Sequence, residues 1–364
     1  MYVAGARVTR QRINNIRTLL VSENLDAVLI FGLTNIRYLC GFTGTDGVLL
    51  ISADEIIFLT DARYTEQARD EVTATCIDCY KNKLKGVEEN LASRHFINVG
   101  FDAASISVAL FDELSSLTGD KINWIQLGTQ LDPLRGLKEQ SELDYLKAAA
   151  TLNHQAFDTI LPRIKAGITE REIALELEFS LKRLGGEENS FDFIVASGVR
   201  GALPHGVASD KVIHSGELVT IDFGTRVAGY HSDETVTFAV GNVDGNLRQI
   251  FDIVLEAHDS ALSMVQAGLA VCDLDAIARN YIASKGYGGY FGHSLGHGVG
   301  LNVHEYPTVS SRSDAILSEG MVITIEPGIY LPEIGGVRIE DTVAVTAHGC
   351  EVLTSIPKQF RQLD

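Results

Sequence analysis

Four carboxylates stand at matching points of a pattern that occurs twice in the second half of the sequence. The run T-I-D-F-G carries Asp222, and its match T-I-E-P-G carries Glu326. The run D-E-T-V-T begins at Asp233, and its match E-D-T-V-A begins at Glu340. Because each acid has a counterpart at the equivalent point, we expect the four side chains to serve one site.

The chemistry open to these acids follows from the cost of burying them. A charged carboxylate in a protein core costs on the order of several kcal/mol unless a positive charge compensates it. The runs contain few basic residues, with only Arg338 near Glu340, and one arginine cannot balance four acids. Four carboxylates and one imidazole form a hard, oxygen-rich ligand set. The sequence therefore predicts two divalent ions, of the manganese or cobalt type, with zinc as an alternative.

A histidine-rich stretch, F-G-H-S-L-G-H-G-V-G-L-N-V-H-E, is the expected source of the imidazole ligand. It holds His293, His297 and His304 among several glycines, in a chain with 10 histidines. Glycine lets the backbone approach an ion or a substrate closely, and three clustered histidines indicate a site rather than a packing role. A further candidate, His205, stands in L-P-H-G ahead of Asp222.

The acids need elements that bring the two matching runs together. Hydrophobic patterns predict two rounds of the same plan, in which two helices precede two strands. The predicted helices are 141–164, 169–184, 247–266 and 273–284, and the predicted strands are 218–223, 232–240, 321–325 and 337–345. The second helix opens with the capping box T-E-R-E and stops at two glycines. An internal duplication of this helix-helix-hairpin unit predicts a pseudo-twofold axis at which the acids converge.

The first part of the sequence has the pattern of a separate α/β domain. The predicted helices here are 7–23, 64–70 and 107–117, and the predicted strands are 27–31, 48–52, 56–60 and 97–101. The segment L-D-P-L-R-G-L-K, around 132–138, has the proline and glycine of a linker. We therefore predict an amino-terminal domain over 1–131 and a catalytic domain over 138–364.

Composition excludes several classes of protein. The chain has 364 residues, of which 45% are hydrophobic, and 30 Lys and Arg against 48 Asp and Glu give a formal charge of −18. This composition predicts a folded, soluble protein rather than a disordered one. Without a block of basic residues, the chain lacks the electrostatic basis for binding nucleic acid. Most of the acid excess is expected on a solvated surface.

Cysteine usage and apolar runs indicate the compartment. The 5 cysteines are an odd number spread over a long chain, which favours a reducing location, the cytoplasm. The C-I-D-C pair has no second pair, so we interpret it as two strand cysteines rather than a zinc or redox motif. No run has the pattern of a signal peptide or a membrane span, so we expect no membrane association.

These residues carry a resemblance to a known family. The ordered set of acids and His297, with L-P-H-G before it and G-H-G-V-G-L-N-V-H-E within it, resembles the pita-bread metallopeptidases of the prolidase and aminopeptidase P branch. The segments N-I-R-Y-L-C-G-F-T-G and D-A-R-Y resemble the creatinase-like amino-terminal domain of that branch. The resemblance covers the whole chain and implies a creatinase-like α/β domain followed by an α+β pita-bread domain.

The resemblance also implies how the metal ligands divide. Asp222 would hold one ion, Asp233 and Glu340 would bind both, and His297 and Glu326 would complete the other. A hydroxide that bridges the two ions, for which Mn²⁺ is the first expectation, would then be the nucleophile.

Further roles follow from the same resemblance. His205 and His304 would stabilise the oxyanion and handle the proton of the leaving nitrogen, and His293 would line the pocket. Arg338 would lie near the substrate or order the ligands. Phe191 would form part of an apolar pocket for proline, whose ring fixes φ and whose nitrogen carries no hydrogen. A homodimer is also implied.

The first expected activity is that of an Xaa-Pro aminopeptidase, which removes an amino-terminal residue that precedes proline in a peptide. The alternative is an Xaa-Pro dipeptidase, or prolidase, which would need a cation or a closed pocket for the carboxylate that follows proline. Methionine aminopeptidases lack the separate first domain and resemble E-H-T rather than R-I-E-D-T at the last ligand. Creatinase has lost metal ligands. A catalytically inactive pita-bread module for protein interaction is the alternative from a different class.

Two other motifs in the sequence lack the context that they need. The segment G-H-S-L-G satisfies the nucleophile motif of serine hydrolases, but no apolar strand precedes it and no helix pattern follows it. The segment G-H-G-V-G is likewise not followed by the helix start that a dinucleotide site requires.

Overall fold

The computed structural model of the protein describes residues 9–364. Two compact units meet in the chain at the bond between Arg135 and Gly136. Residues 1–8 lie outside the described residues. They contain the start of the predicted first domain and the first two residues of the predicted helix 7–23. Most of the amino-terminal segment, in which we expect no signal peptide, also lies outside the described residues. None of the helices in residues 9–364 combines the length and the apolarity needed to span a membrane.

The first unit is built on one mixed sheet. Its helices are α1 (Arg10–Ser22), α2 (Leu33–Cys40), α3 (Thr65–Glu71), α4 (Lys83–Ser93) and α5 (Val108–Thr118). Its strands are β1 (Ala27–Ile30), β2 (Val48–Ser52), β3 (Ile56–Thr60), β4 (Cys76–Cys79), β5 (Asn98–Asp102) and β6 (Asn123–Leu127). They pair in the order β4-β3-β2-β1-β5-β6. Every residue of β1 and β2 is buried, as expected for strands covered on both faces.

The second unit has two main sheets, each packed against a pair of helices. Its helices are α6 (Gln140–Ile160), α7 (Glu170–Leu184), α8 (Gly245–Leu262) and α9 (Val271–Ser284). The strands of its first half are β7 (Ile194–Ser197), β8 (Glu217–Phe223), β9 (Arg226–Val227), β10 (Tyr230–His231) and β11 (Glu234–Val240). The remaining strands are β12 (Gly296–Gly298), β13 (Glu305–Val309), β14 (Val322–Ile325), β15 (Gly328–Leu331), β16 (Gly335–Arg338), β17 (Asp341–Thr346), β18 (Gly349–Val352) and β19 (Gln362–Leu363).

The predicted duplication is visible in the order of these elements. One core packs α6 and α7 on the sheet β19-β11-β8-β7, and the other packs α8 and α9 on the sheet β13-β12-β14-β17-β18. In each half an antiparallel strand pair, β8 with β11 or β14 with β17, is interrupted by a two-stranded ribbon. The two matching runs therefore occupy equivalent positions in two similar layers.

Local signals place the ends of α7 correctly. Thr169 caps the helix through its side chain, and Glu172 returns the bond to the Thr169 backbone, which is the predicted capping box. Gly185 ends the helix with φ 107°, a left-handed conformation that favours glycine. The preceding helix is shorter than predicted, because it gives way at Leu161 to a tighter turn that contains Pro162.

Two predicted strands are wrong in detail, and both differences bear on the site. The predicted strand 337–345 is two strands, β16 and β17, separated at Ile339 and Glu340. The chain changes partner there, since β16 pairs with β15 whereas β17 pairs with β14. The predicted strand 232–240 begins only at Glu234. Asp233 and Glu340 thus each stand immediately before a strand, outside the residues that pair in the sheet.

Candidate metal centre

Three of the predicted ligands come together in the second unit. Ligand atoms of Asp233, His297 and Glu340 all lie within 4.8 Å of one another. His297 reaches the cluster from β12, with Nε2 at 3.6 Å from Oδ2 of Asp233. Glu340 is held by the hydroxyl of Thr235, which donates to its Oε2 at 2.7 Å. Residues from both halves of the duplicated unit therefore meet at one point.

Glu326 lies beside this group, immediately after β14. Its Oε1 is 3.3 Å from Nε2 of His297 and accepts a hydrogen bond from the Thr324 hydroxyl at 3.2 Å. The same hydroxyl accepts a bond from the backbone N–H of His297 at 3.1 Å. Thr324 thus fixes both the acid and the histidine in one arrangement.

The two carboxylate oxygens of Asp222 have different surroundings. Oδ2 accepts a hydrogen bond from Nη2 of Arg338 at 2.5 Å. Oδ1 is buried and has no hydrogen-bond partner among the described residues. A buried carboxylate oxygen without a donor is costly, so this atom marks a position where a cation would be stabilised.

The acids perturb one another strongly. Burial raises the pKa of Asp233 well above its usual range, and the charges of Glu340, Asp222 and Glu326 raise it further. Burial, together with the charges of Glu326 and Asp222, likewise raises the pKa of Glu340. Burial raises the pKa of Glu326 to about 8, although the charge of Arg338 opposes this. A cation bound among these carboxylates would favour their charged forms and oppose this rise in pKa.

His297 is prepared to act as a ligand. Its Nδ1 lies 3.0 Å from the carbonyl oxygen of Gly298, so Nδ1 carries the proton and Nε2 presents a lone pair to the acids. Burial lowers the pKa of this imidazole, which favours its neutral form. A neutral imidazole and four carboxylates, one with an unpartnered buried oxygen, fit divalent metal.

Arg338 has a larger part in the site than its sequence position indicates. It is 4% exposed and also donates to the Thr235 hydroxyl, the Pro204 carbonyl and the Tyr330 hydroxyl at 3.2, 3.0 and 2.9 Å. The expectation that ions alone balance the acids is therefore wrong for Asp222, which Arg338 partly neutralises.

The remaining histidines lie around the cluster in different ways. The ring of His304 is exposed, and its centroid is 4.3 Å from that of His297. His205 is exposed on the turn that follows Pro204. Burial lowers the pKa of His293 and His304, and the charge of His205 lowers it further in both, so His205 lies within electrostatic range of the two rings.

His293 is turned away from the acids. Its Nδ1 is 2.8 Å from the Ser294 carbonyl and its Nε2 is 2.9 Å from the Tyr330 hydroxyl. Burial lowers its pKa to about 4, so it is neutral at physiological pH. Tyr330 thereby links His293 to Arg338.

Sequence reasoning missed three of the residues that shape the site. Tyr330 gave no signal, since it is an isolated tyrosine in the ribbon strand β15. Thr235 and Thr324 belong to the repeated letters, in D-E-T and T-I-E, but threonine is common in strands and does not by itself indicate a site. Phe191 is half-buried ahead of β7, and its place in a pocket stays a prediction.

Comparison with known families covers both units. The sequence profile described as Metallopeptidase family M24 matches residues 144–347. The profile described as Creatinase/Prolidase N-terminal domain matches residues 12–136. Together they account for almost the whole chain.

Individual relatives match over their full length. The protein named Xaa-Pro dipeptidase in Pyrococcus horikoshii is 37% identical over 355 residues, which cover 97% of this chain and 99% of the relative. A solved Xaa-Pro dipeptidase from Bacillus anthracis is 42% identical with a TM-score of 0.94, over 97% of this chain and 99% of that one. A solved X-Pro aminopeptidase from Thermotoga maritima is 37% identical with a TM-score of 0.88, over 97% of this chain and 100% of that one.

Proposed function

This chain belongs to metallopeptidase family M24, and from that membership we propose that it is an Xaa-Pro dipeptidase, a hydrolase that splits a dipeptide at the bond before proline. The sequence alone put the aminopeptidase first. Full-length relatives named Xaa-Pro dipeptidase, from Pyrococcus horikoshii and Bacillus anthracis, support the dipeptidase instead. The observation that carries a metal-dependent activity is the meeting of Asp233, His297 and Glu340 within 4.8 Å.

Five residues would hold the metal. Asp222, Asp233, His297, Glu326 and Glu340 offer four carboxylates and one imidazole, enough donors for two divalent ions, of which we propose Mn²⁺ first and Co²⁺ or Zn²⁺ next. Bound ions of this kind polarise the scissile carbonyl and lower the pKa of an attacking water. The protein's own part is to bring the donors together and to orient them.

The two exposed imidazoles are suited to the substrate side of the site. The ring of His304 lies 4.3 Å from that of His297, and His205 lies within electrostatic range of His304 and lowers its pKa, although burial is the larger cause. Among residues 9–364, neither ring has a hydrogen bond of the kind that holds His297. We assign them to stabilising the oxyanion and to protonating the leaving nitrogen of proline, which departs as a secondary amine. His293, with both ring nitrogens bonded, forms part of the pocket wall.

Arg338 is a poor candidate for binding the substrate carboxylate. All three of its guanidinium nitrogens donate to protein acceptors, and the side chain is almost completely buried. We therefore assign Arg338 to ordering Asp222, and the carboxylate of a dipeptide must meet another group. Phe191 is proposed to contact the proline ring, as an aromatic face would suit it.

Comparison of dipeptide and tripeptide substrates tests the proposal. The Mn²⁺-loaded protein should hydrolyse an Xaa-Pro dipeptide faster than the matched Xaa-Pro-Xaa tripeptide, and an Xaa-Ala dipeptide serves as the control for proline. Preference for the tripeptide would instead indicate an aminopeptidase, the activity named for the Thermotoga maritima relative. Turnover of none of these, with binding of a protein partner that chelator does not affect, would indicate an interaction module.

Location and assembly complete the proposal. A cytoplasmic location is supported by the 5 free cysteines, which suit a reducing compartment. The homodimer is supported by family resemblance, and light scattering of the purified protein tests it by giving one or two chain masses.

A further inference from the structure

One buried carboxylate holds both ends of the segment that carries His205. Glu170, the first residue of α7, is fully buried. Its Oε1 accepts hydrogen bonds from the backbone N–H and the hydroxyl of Ser197, at 2.8 and 2.9 Å, where the segment leaves β7. Its Oε2 accepts bonds from the N–H and the hydroxyl of Ser209, at 3.2 and 2.7 Å, where the segment ends.

A residue inside the segment closes it further. Arg200 forms an ion pair with Oε2 of Glu170. Its Nη2 donates to the carbonyl oxygen of Val207 at 2.8 Å. The Arg200 guanidinium therefore closes the base of a loop, residues 200–207, that contains His205.

The tip of this loop is fixed to the metal centre by a separate bond. The Pro204 carbonyl accepts from Nη1 of Arg338 at 3.0 Å, and Arg338 also holds Asp222. His205 follows Pro204 directly, and its imidazole is exposed. Two anchors thus determine where His205 stands, one at the centre and one at the base of the loop.

Resting on the proposed function, in which His205 assists the reaction, we propose that Glu170 is a positioning residue for His205: by binding Ser197, Arg200 and Ser209 it keeps the loop in the conformation that brings the imidazole to the substrate. Hydrogen bonds to a charged acceptor are stronger than neutral ones, and one carboxylate here receives several. Without them the loop would gain conformational freedom, and a catalytic group loses effect when its position varies by even about 0.5 Å.

A double-mutant cycle separates this role from a general loss of stability. Glu170→Gln keeps the side chain's shape but turns an NH₂ group toward donors, so the base of the loop should loosen. We expect His205→Ala to lower kcat about a hundredfold. Glu170→Gln should lower kcat about tenfold when His205 is present and less than about twofold when it is absent, because both changes then act on one group.

Amide hydrogen exchange supplies a readout that does not depend on activity. Residues 197–209 should exchange faster in Glu170→Gln, and also in Ser209→Ala, a milder change that removes one hydroxyl donor and serves if the first variant folds poorly. Thr169→Ala is the matched control, because it weakens the same end of α7 through its bond to Glu172 and has no side-chain bond to the loop. It should leave exchange in 197–209 and kcat unchanged.

Equal losses of kcat from Glu170→Gln with and without His205, or unchanged exchange of the loop in both loosened variants, would overturn the positioning role. Full activity of His205→Ala would also overturn it, by removing the group that Glu170 is proposed to position. Failure of the proposed function is distinguishable, since it would appear as absence of Xaa-Pro hydrolysis by the unmodified, metal-loaded protein.

Discussion

Nη2 of Arg338 lies 2.5 Å from Oδ2 of Asp222, while Oδ1 of the same carboxylate is buried with no hydrogen-bond partner among residues 9–364. One oxygen of this acid is thereby paired with a cation that the chain supplies, and the other is buried without a donor. Arg338 contributes one positive charge beside four acids, so a cation from outside the chain would stabilise Asp233, Glu326 and Glu340. This division explains how an arginine and a metal can serve the same centre.

Removal of Arg338 should destabilise the metal-free protein. Arg338→Met keeps an apolar stem but leaves Asp222 buried without its cation, which costs about 3–5 kcal/mol for a broken buried pair. Urea unfolding after chelation measures the loss. The control is Arg171→Met, whose pair with Asp210 is exposed at 54% and 82%, so solvent screens it and its loss should change the stability little. Equal losses from the two variants would contradict the assignment.

Loss of a central ligand should remove metal and activity together. Asp233 lies within 4.8 Å of both His297 and Glu340, so Asp233→Ala should lower the metal content of the Mn²⁺-loaded protein and reduce turnover to background. Elemental analysis of the dialysed protein gives the ions per chain. Asp210→Ala, at an exposed acid, is the control. Less than one ion per unmodified chain, or full turnover in Asp233→Ala, would rule out the two-metal site.

A buried histidine that is not one of the predicted ligands should make stability depend on pH. Burial tends to lower the pKa of His258, but the carboxylates of Asp259 and Asp341, at 3.0 and 3.2 Å, outweigh it and raise the pKa above its usual value. The charged form is therefore favoured by folding. Its contribution is complete below the unfolded pKa of about 6.5 and is lost as pH rises through the folded value.

Urea unfolding at about pH 6 and pH 9 tests this dependence. The unmodified protein should lose more unfolding free energy over that interval than His258→Gln does. The exposed His348, replaced by Gln, is the control and should follow the unmodified protein. A variant with the same pH dependence as the unmodified protein would show that His258 does not bind the extra proton.

The capping box of α7 should be worth a measurable part of the stability. Thr169→Ala removes the side-chain acceptor for the backbone N–H of Glu172 and should cost about 1 kcal/mol. Thr151→Ala is the matched control, because Thr151 is exposed inside α6 and only its hydroxyl bond to the Lys147 carbonyl is lost. Thermal unfolding should show a lower midpoint for the first variant only. Identical midpoints would mean that the cap contributes nothing.

Local patterns were sufficient to predict the four helices of the second unit and several strands of both units. The strands at 48–52 and 56–60 begin and end where the apolar runs do, and α7 begins and ends at its capping residues. Such boundaries depend on neighbours within a few positions, which the sequence displays directly. The division of 337–345 into two strands was missed, because it depends on the different partners that β16 and β17 find in β15 and β14.

The sequence by itself determined which residue types could bind metal, because an internal repeat placed Asp222, Asp233, Glu326 and Glu340 at equivalent points and glycine-flanked histidines followed. Only the tertiary structure decided how they are used. It turns His297 toward the acids and His293 toward Tyr330, and it pairs one oxygen of Asp222 with Arg338. The physical reason is separation along the chain: Arg338 stands 116 residues from Asp222 and 134 from Pro204, and contacts at such distances are set by packing rather than by local pattern.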